Sequence, residues 1–114
     1  MKPSIRRGDI WLVNLNPARD HEANDIRPAV VVTNNFANEE GTMLTVVPLT
    51  SNTEKIYPFQ VLLPNQRTNL DFDSKAQIEQ IRSIALGRLQ KYLGCIPDDL
   101  MQQINSRIRL HLAL

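Results

Sequence analysis

The chain has 114 residues, 42% of them hydrophobic and 22% charged, and its 13 basic and 12 acidic residues leave a net charge of +1. This length suits one domain with a single core, so we predict that residues 1–114 form one domain. The composition argues against disorder, and no run approaches the roughly 20 apolar residues needed to span a bilayer. The small net charge excludes nucleic-acid binding through the overall field, so any such binding must use a local cleft.

Strand-forming segments occupy the first half of the chain. Gly8 precedes the first of them, and a run of valines in the second indicates burial on both faces of a sheet. We predict strands over residues 9–15, 27–33, 44–50 and 57–63, with a polar turn over 34–41.

The second half of the chain is predicted to end in a helix. Residues 74–84 have an ambiguous period, and we favour a strand there. Asp98 is a good N-cap, and it is followed by apolar residues at helical spacing up to Leu112. Several short strands followed by a packed amphipathic helix predict an α+β, mainly β fold: a strongly bent sheet or barrel with attached helices.

Two features bear on location and redox state. The N-terminus is basic but lacks the apolar run of a signal peptide, so we expect a cytoplasmic protein without membrane attachment. The single cysteine, Cys95, cannot form an internal disulfide, and its apolar neighbours favour a buried core position over a reactive thiol.

The polar loop over residues 16–26 is the first candidate for function. It shows neither helical nor strand periodicity, and connections of this length are uncommon in compact domains unless they are functional. His21 lies within it, and an imidazole suits proton transfer at neutral pH. A solvated loop histidine is the competing interpretation.

Seven motifs resemble the MazF/PemK toxin family in their order and spacing. They are Arg6-Arg7-Gly8-Asp9-Ile10-Trp11, Asn16-Pro17, Glu22, Arg27-Pro28-Ala29-Val30-Val31-Val32, Val46-Val47-Pro48-Leu49-Thr50-Ser51, Tyr57-Pro58-Phe59, and the run from Lys75 to Ile84. The resemblance implies an SH3-like antiparallel β-barrel, a homodimer that binds RNA in a groove at its interface, and an antitoxin that blocks the groove. It also implies cleavage of single-stranded RNA at short sequences, leaving a 2′,3′-cyclic phosphate and a 5′-hydroxyl.

The catalytic pair of the family matches Arg27, at the start of the second strand, and Thr50, at the end of the third. A guanidinium has a permanent charge and a planar fork that fits a phosphate, and a threonine hydroxyl can donate to the same phosphate. Arginine stays protonated in proteins, so the residues themselves support only an electrostatic role for Arg27. Glu22 matches a carboxylate that recurs at this loop position, which makes it a third catalytic candidate; solvent exposure is the alternative.

Five further residues are predicted to bind RNA: Arg19, His21, Ser51, Gln80 and Arg82. For Arg19, the competing interpretation is an exposed loop arginine without a ligand. For Gln80 and Arg82, it is a half-exposed face of the sheet. We predict no cofactor and no metal, since His21 and His111 are far apart in the sequence and lack neighbouring ligand pairs. Many family members have glycine where this chain has Asp20, and the added negative charge is predicted to lower activity.

Two other functions stay open at this point. A toxin of the CcdB type shares the architecture and poisons DNA gyrase by binding it, but that family ends in a Trp-Gly-Ile-like tail, and this chain ends Arg109-Leu110-His111-Leu112-Ala113-Leu114. An interaction barrel without activity is the third possibility. Because a fold alone does not decide function, Arg27 and Thr50 are what favour the nuclease.

Overall fold

A computed structural model describes residues 3–114, in which seven strands form one antiparallel sheet with three α-helices. The strands are β1 Asp9–Asn14, β2 Ile26–Val31, β3 Met43–Thr50, β4 Val61–Leu63, β5 Ser74–Ala76, β6 Arg82–Ala85 and β7 Leu89–Cys95. The helices are α1 Asn35–Glu40, α2 Asn65–Thr68 and α3 Asp98–Leu112, and 3₁₀ turns cover Ile78–Gln80 and Leu86–Arg88.

The strands follow the order β4-β5-β3-β2-β1-β7, and β6 pairs with the first half of β3. The path ends at β4 and β7 and is not closed by a pairing between them. The predicted mainly β architecture with a C-terminal helix is therefore confirmed as an open, antiparallel sheet. Among the helices within residues 3–114, none has the length and apolarity needed to cross a membrane.

The valine run of β2 packs on both faces of the sheet, as its sequence predicts. Val30 belongs to a core that includes Ile104 of α3, whereas Val31 belongs to a second core with Val13 and Leu15. Each of these side chains is fully buried, and each such burial stabilises the fold by roughly 1.5–3 kcal/mol. The central strands are therefore held from both sides.

A tight turn leads into β1 and ties the N-terminal segment to the rest of the fold. The Asp9 carboxylate accepts from the Arg6 backbone N–H at 2.8 Å, and Gly8 has a φ of 96° that favours glycine. Arg7 donates from Nε to the Val32 carbonyl at 2.8 Å and from Nη2 to Asn105 Oδ1 at 2.7 Å. Partial burial lowers the pKa of Arg7 from its usual value.

Two predicted segments of the first half need correction. The predicted turn over 34–41 contains helix α1, whose first turn is capped by Asn34 Oδ1 accepting from Ala37 N at 2.8 Å. Side-chain capping explains this short helix, because the segment lacks an apolar period. The predicted fourth strand is limited to β4, since residues 57–60 form a turn closed by Gln60 N and Tyr57 O at 2.9 Å.

Three predictions for the second half also differ from the structure. The segment 74–84 is not one strand, because the 3₁₀ turn Ile78–Gln80 separates β5 from β6. Asp98 is the first residue of α3 and Pro97 occupies the N-cap. Cys95 is exposed rather than buried, because it ends the edge strand β7, and the chain reaches the core only at Ile96. Strand β7 was not predicted.

Candidate active site

The ends of β2 and β3 bring Arg27 and Thr50 to one cavity. The two strands pair Ala29 with Pro48 and Val30 with Val47. Continued by two residues along each strand, this register sets Arg27 opposite Thr50. Both residues, together with Ser51, line a cavity of about 430 Å³.

The Arg27 guanidinium is held on one side only. Its Nε donates to the Asn24 carbonyl at 2.8 Å, and its Nη2 donates to Asn24 Oδ1 at 3.2 Å. Its Nη1 donates no hydrogen bond within residues 3–114, and the side chain is half-buried. The charged fork is therefore oriented by the loop and retains donors for a phosphate.

The Thr50 hydroxyl is also oriented. Its Oγ1 accepts from the Asn52 backbone N–H at 3.2 Å, so the hydroxyl hydrogen stays available for donation. Cross-strand pairing sets Thr50 opposite Lys75, a buried lysine whose Nζ donates to the Lys55 carbonyl at 2.6 Å. Lys75 thereby ties the segment after Thr50 to β5. The contact between Lys75 and the Lys55 carbonyl was not predicted from the sequence. The position of Lys75 next to the apolar Ala76 in a strand could have indicated a buried lysine.

The loop over residues 15–25 forms the second part of the site. Arg19 and Glu22 close a turn, because Glu22 N donates to Arg19 O at 2.9 Å and Arg19 N donates to Glu22 Oε1 at 2.6 Å. Asp20, the second residue of this turn, has a φ of 51°. Glycine is favoured at such a position, which agrees with the expectation from the family pattern.

This loop and the turn before β6 line a second cavity, of about 700 Å³. Five of the eight predicted site residues lie there: Arg19, His21, Glu22, Gln80 and Arg82. The predicted set is therefore split, with Arg27, Thr50 and Ser51 at the first cavity. The two groups are linked along the chain. Arg27 donates a hydrogen bond to the Asn24 carbonyl, and Glu22 lies two residues before Asn24.

Side chains from the region around β6 hold the loop by its backbone. Arg82 Nη1 donates to the Leu15 carbonyl at 3.3 Å, and Arg88 Nη1 donates to the carbonyls of Asn14, at 3.1 Å, and Asn16. Gln80 contacts the loop at two points, described below. No three His, Cys, Asp or Glu side chains within residues 3–114 lie close enough together to hold a metal ion.

Comparison with known proteins identifies the family of this chain. Residues 6–112 match the PemK-like, MazF-like toxins of type II toxin–antitoxin systems. The chain belongs to this family. It is 52% identical over 115 residues to the endoribonuclease MazF9 of Mycobacterium tuberculosis, and the match covers 96% of this chain and 98% of that protein.

Solved structures of the MazF type share the fold. A crystal structure of MazF from Deinococcus radiodurans superposes with a TM-score of 0.81 at 26% identity, covering 100% of this chain and 99% of that one. An endoribonuclease from a mycobacterial species, in complex with its cognate antitoxin, superposes with a TM-score of 0.77 at 21% identity, covering 97% and 95%. The open sheet with α3 is therefore a MazF-type fold.

Proposed function

We propose that this MazF-type toxin is a sequence-specific endoribonuclease that cleaves single-stranded RNA without a metal ion. The observation that carries the proposal is the meeting of Arg27 and Thr50 at one cavity, each oriented by a backbone contact and each with a donor available. Its relative at 52% identity is named an endoribonuclease, which favours this activity over the gyrase-poisoning alternative.

The proposed reaction is attack by a ribose 2′-oxygen on the adjacent phosphorus. The O2′–P bond forms and the P–O5′ bond breaks, while the 2′-hydroxyl proton passes to a carboxylate base and water gives a proton to O5′. The products are a 2′,3′-cyclic phosphate and a 5′-hydroxyl. Arg27 stabilises the charge on the non-bridging oxygens, and Thr50 donates its hydroxyl hydrogen to one of them.

Glu22 is the group we assign to proton transfer. Its Oε1 accepts from Arg19 N, and its Oε2 accepts no hydrogen bond within residues 3–114, so that oxygen is open to a 2′-hydroxyl. A carboxylate acts as a base only when it is ionised. We therefore expect Glu22→Gln to lower kcat sharply, while His21→Gln retains it.

Arg19, His21, Ser51 and Arg82 are assigned to RNA binding, whereas the Gln80 amide is bonded to the loop backbone. Arg19 and His21 are exposed at the loop, Ser51 is exposed beside Thr50, and Gln80 and Arg82 line the wall of the second cavity. We propose that RNA crosses both cavities, with phosphates near the cationic side chains.

The assembly we propose follows the family. Residues 1–114 act as one domain with an SH3-like fold, in which the barrel is left open between β4 and β7. Two copies form a homodimer in the cytoplasm, where messenger RNA is found. Ile26 and Phe72, which line the cavity of Arg27 and are 48% and 69% exposed, are apolar surface that a second copy would cover. A cognate antitoxin, as in the mycobacterial complex, is the proposed inhibitor.

The test is incubation of purified protein with a long RNA in EDTA, followed by mapping of both new ends. Cyclic-phosphate and 5′-hydroxyl ends are expected at a short recurring sequence. Arg27→Ala should lower the rate by about 10²–10³, because a preorganised charge donor to the transition state is lost. Arg109→Ala, on an exposed turn of α3, is the matched control. RNA left intact by the wild-type protein, or equal cleavage by Arg27→Ala, would overturn the proposal.

A further inference from the structure

We infer that Gln80 is a positioning residue that fixes the backbone on both sides of Glu22 and thereby aims the Glu22 carboxylate. Its Oε1 accepts from Ala23 N at 2.9 Å, and its Nε2 donates to the His21 carbonyl at 2.9 Å. One side-chain amide thus holds the chain immediately before and immediately after Glu22. The inference rests on the proposed function, in which Glu22 accepts a proton.

The backbone of Gln80 is itself held in place. Gln80 ends the 3₁₀ turn Ile78–Gln80, in which Gln80 N donates to Gln77 O at 2.9 Å. Ile78 anchors the turn because its side chain is fully buried in the core shared with α3. The amide therefore transmits the position of the packed core to a loop that contributes few buried side chains of its own.

The chemistry of the contact requires an amide. The loop presents one N–H and one carbonyl, so a single side chain must both accept and donate. A carboxylate at residue 80 would accept from Ala23 N but would face the His21 carbonyl with a second acceptor. A leucine side chain would make neither bond.

The contact also separates positioning from direct RNA binding. Each polar atom of the Gln80 amide is bonded to the loop, which turns the amide toward the loop backbone and leaves one N–H and one lone pair unused. Glu22 is further fixed through its own bond to Arg19 N at 2.6 Å. Loss of the Gln80 contacts should therefore leave RNA affinity nearly unchanged and disturb the direction of the carboxylate.

The first test is kinetic. Gln80→Leu should lower kcat about 10- to 100-fold with little change in KM, since small misplacements of a catalytic group have effects of this size. Gln80→Glu, which keeps the bond to Ala23, should lie between Gln80→Leu and the wild type. Gln90→Glu, at an exposed position of β7, controls for the added charge. A rise in KM with unchanged kcat would assign Gln80 to RNA binding and overturn the inference.

The second test is a double-mutant cycle with Glu22→Gln. If Gln80 acts through Glu22, Gln80→Leu should cost less than about twofold in rate once Glu22 is replaced. If Gln80 only stabilised the fold, Gln80→Leu would lower the rate as much in the Glu22→Gln protein as in the wild type, which would contradict the inference. Thermal unfolding of each variant shows whether the fold is retained.

The third test does not depend on cleavage. Hydrogen exchange of the Ala23 amide in the full chain should be about tenfold faster in Gln80→Leu, and the amides of β2 should be unaffected. Unchanged exchange at Ala23 would overturn the inference whether or not the protein cleaves RNA. Cleavage by the wild type that is lost in Arg27→Ala but kept in Gln80→Leu would leave the proposed function intact and reject the role of Gln80 alone.

Discussion

The two parts of the site are held in different ways. Arg27 and Thr50 lie at the ends of strands β2 and β3, which pair with each other and bury valines on both faces. The loop over residues 15–25 buries mainly Leu15 and Ala23 and depends on bonds from Gln80, Arg82 and Arg88 to its backbone.

The difference has an energetic consequence. A hydrogen bond of this kind contributes about 1 kcal/mol net, whereas each buried strand residue contributes more through packing. The loop should therefore open at a lower free energy than the sheet. The charge proposed to meet the phosphate is on the rigid part, whereas Glu22, Arg19 and His21, assigned to proton transfer and RNA contact, are on the adjustable part.

The largest effect is expected from a substitution at Thr50 that removes a chemical group from the strand ends and leaves their structure unchanged. Thr50→Val keeps the shape and strand propensity of the side chain but removes the hydroxyl donor, so kcat/KM should fall about 100-fold with little change in Tm. Single-turnover cleavage measures the loss. Thr45→Val, earlier in β3, is the control, and an equal loss in that variant would show that Thr50 acts only through the strand.

A smaller effect is expected in the loop, where Asp20 has a positive φ and a negative charge beside the second cavity. Asp20→Gly should stabilise the loop by about 1 kcal/mol and raise kcat/KM about two- to threefold at low salt. Asp20→Asn removes only the charge and so separates the two causes. Asp25→Gly, at a positive φ outside both cavities, is the matched control. No gain in rate for Asp20→Gly would refute the predicted attenuation.

The smallest effect lies outside both parts of the site. The Arg67 side chain, 2.6 Å from Asp99, lowers the pKa of that carboxyl below its usual 3.8. A lowered pKa stabilises the fold above the unfolded-state value and is lost as the pH falls through the folded-state value. Asp99→Asn should thus lower Tm slightly at pH 7, by less as the pH falls through the acidic range, and leave cleavage unchanged. A constant difference in Tm across that range would contradict the ion pair as its cause.

The sequence predicted the elements whose residues carry a strong period or a buried run. The valines of β2 and the apolar spacing of α3 gave those elements correctly. Strand β7 was missed because its Gln90, Lys91 and Tyr92 are exposed at the sheet edge and show no alternation. Helix α1 was missed because a side-chain cap, not an apolar face, supports it.

The residues of the candidate site were proposed from the sequence, but their geometry was not. Arg27 and Thr50 follow from family motifs, and their position at one cavity agrees with that. The contact of Gln80 with the loop joins segments 57 residues apart in the sequence, so no local pattern could indicate it. Gln80 and Arg82 were predicted from a continuous strand. In the structure Gln80 ends a 3₁₀ turn, Arg82 begins β6, and both side chains bond to the loop backbone.

The turn before β1 has a consequence for how such proteins are recognised. Arg7 and Asp9 form part of the opening motif of the family, yet their polar atoms have structural partners. The Asp9 carboxylate closes the turn by accepting from the Arg6 backbone N–H, and Arg7 joins this segment to Val32 and to helix α3. This motif therefore reports architecture and not chemistry. A chain that kept it but lost Arg27 and Thr50 would still be grouped with the toxins and, under the proposed mechanism, would not cleave RNA. Inactive members of such families should be sought by the strand-end pair, and not by the opening motif.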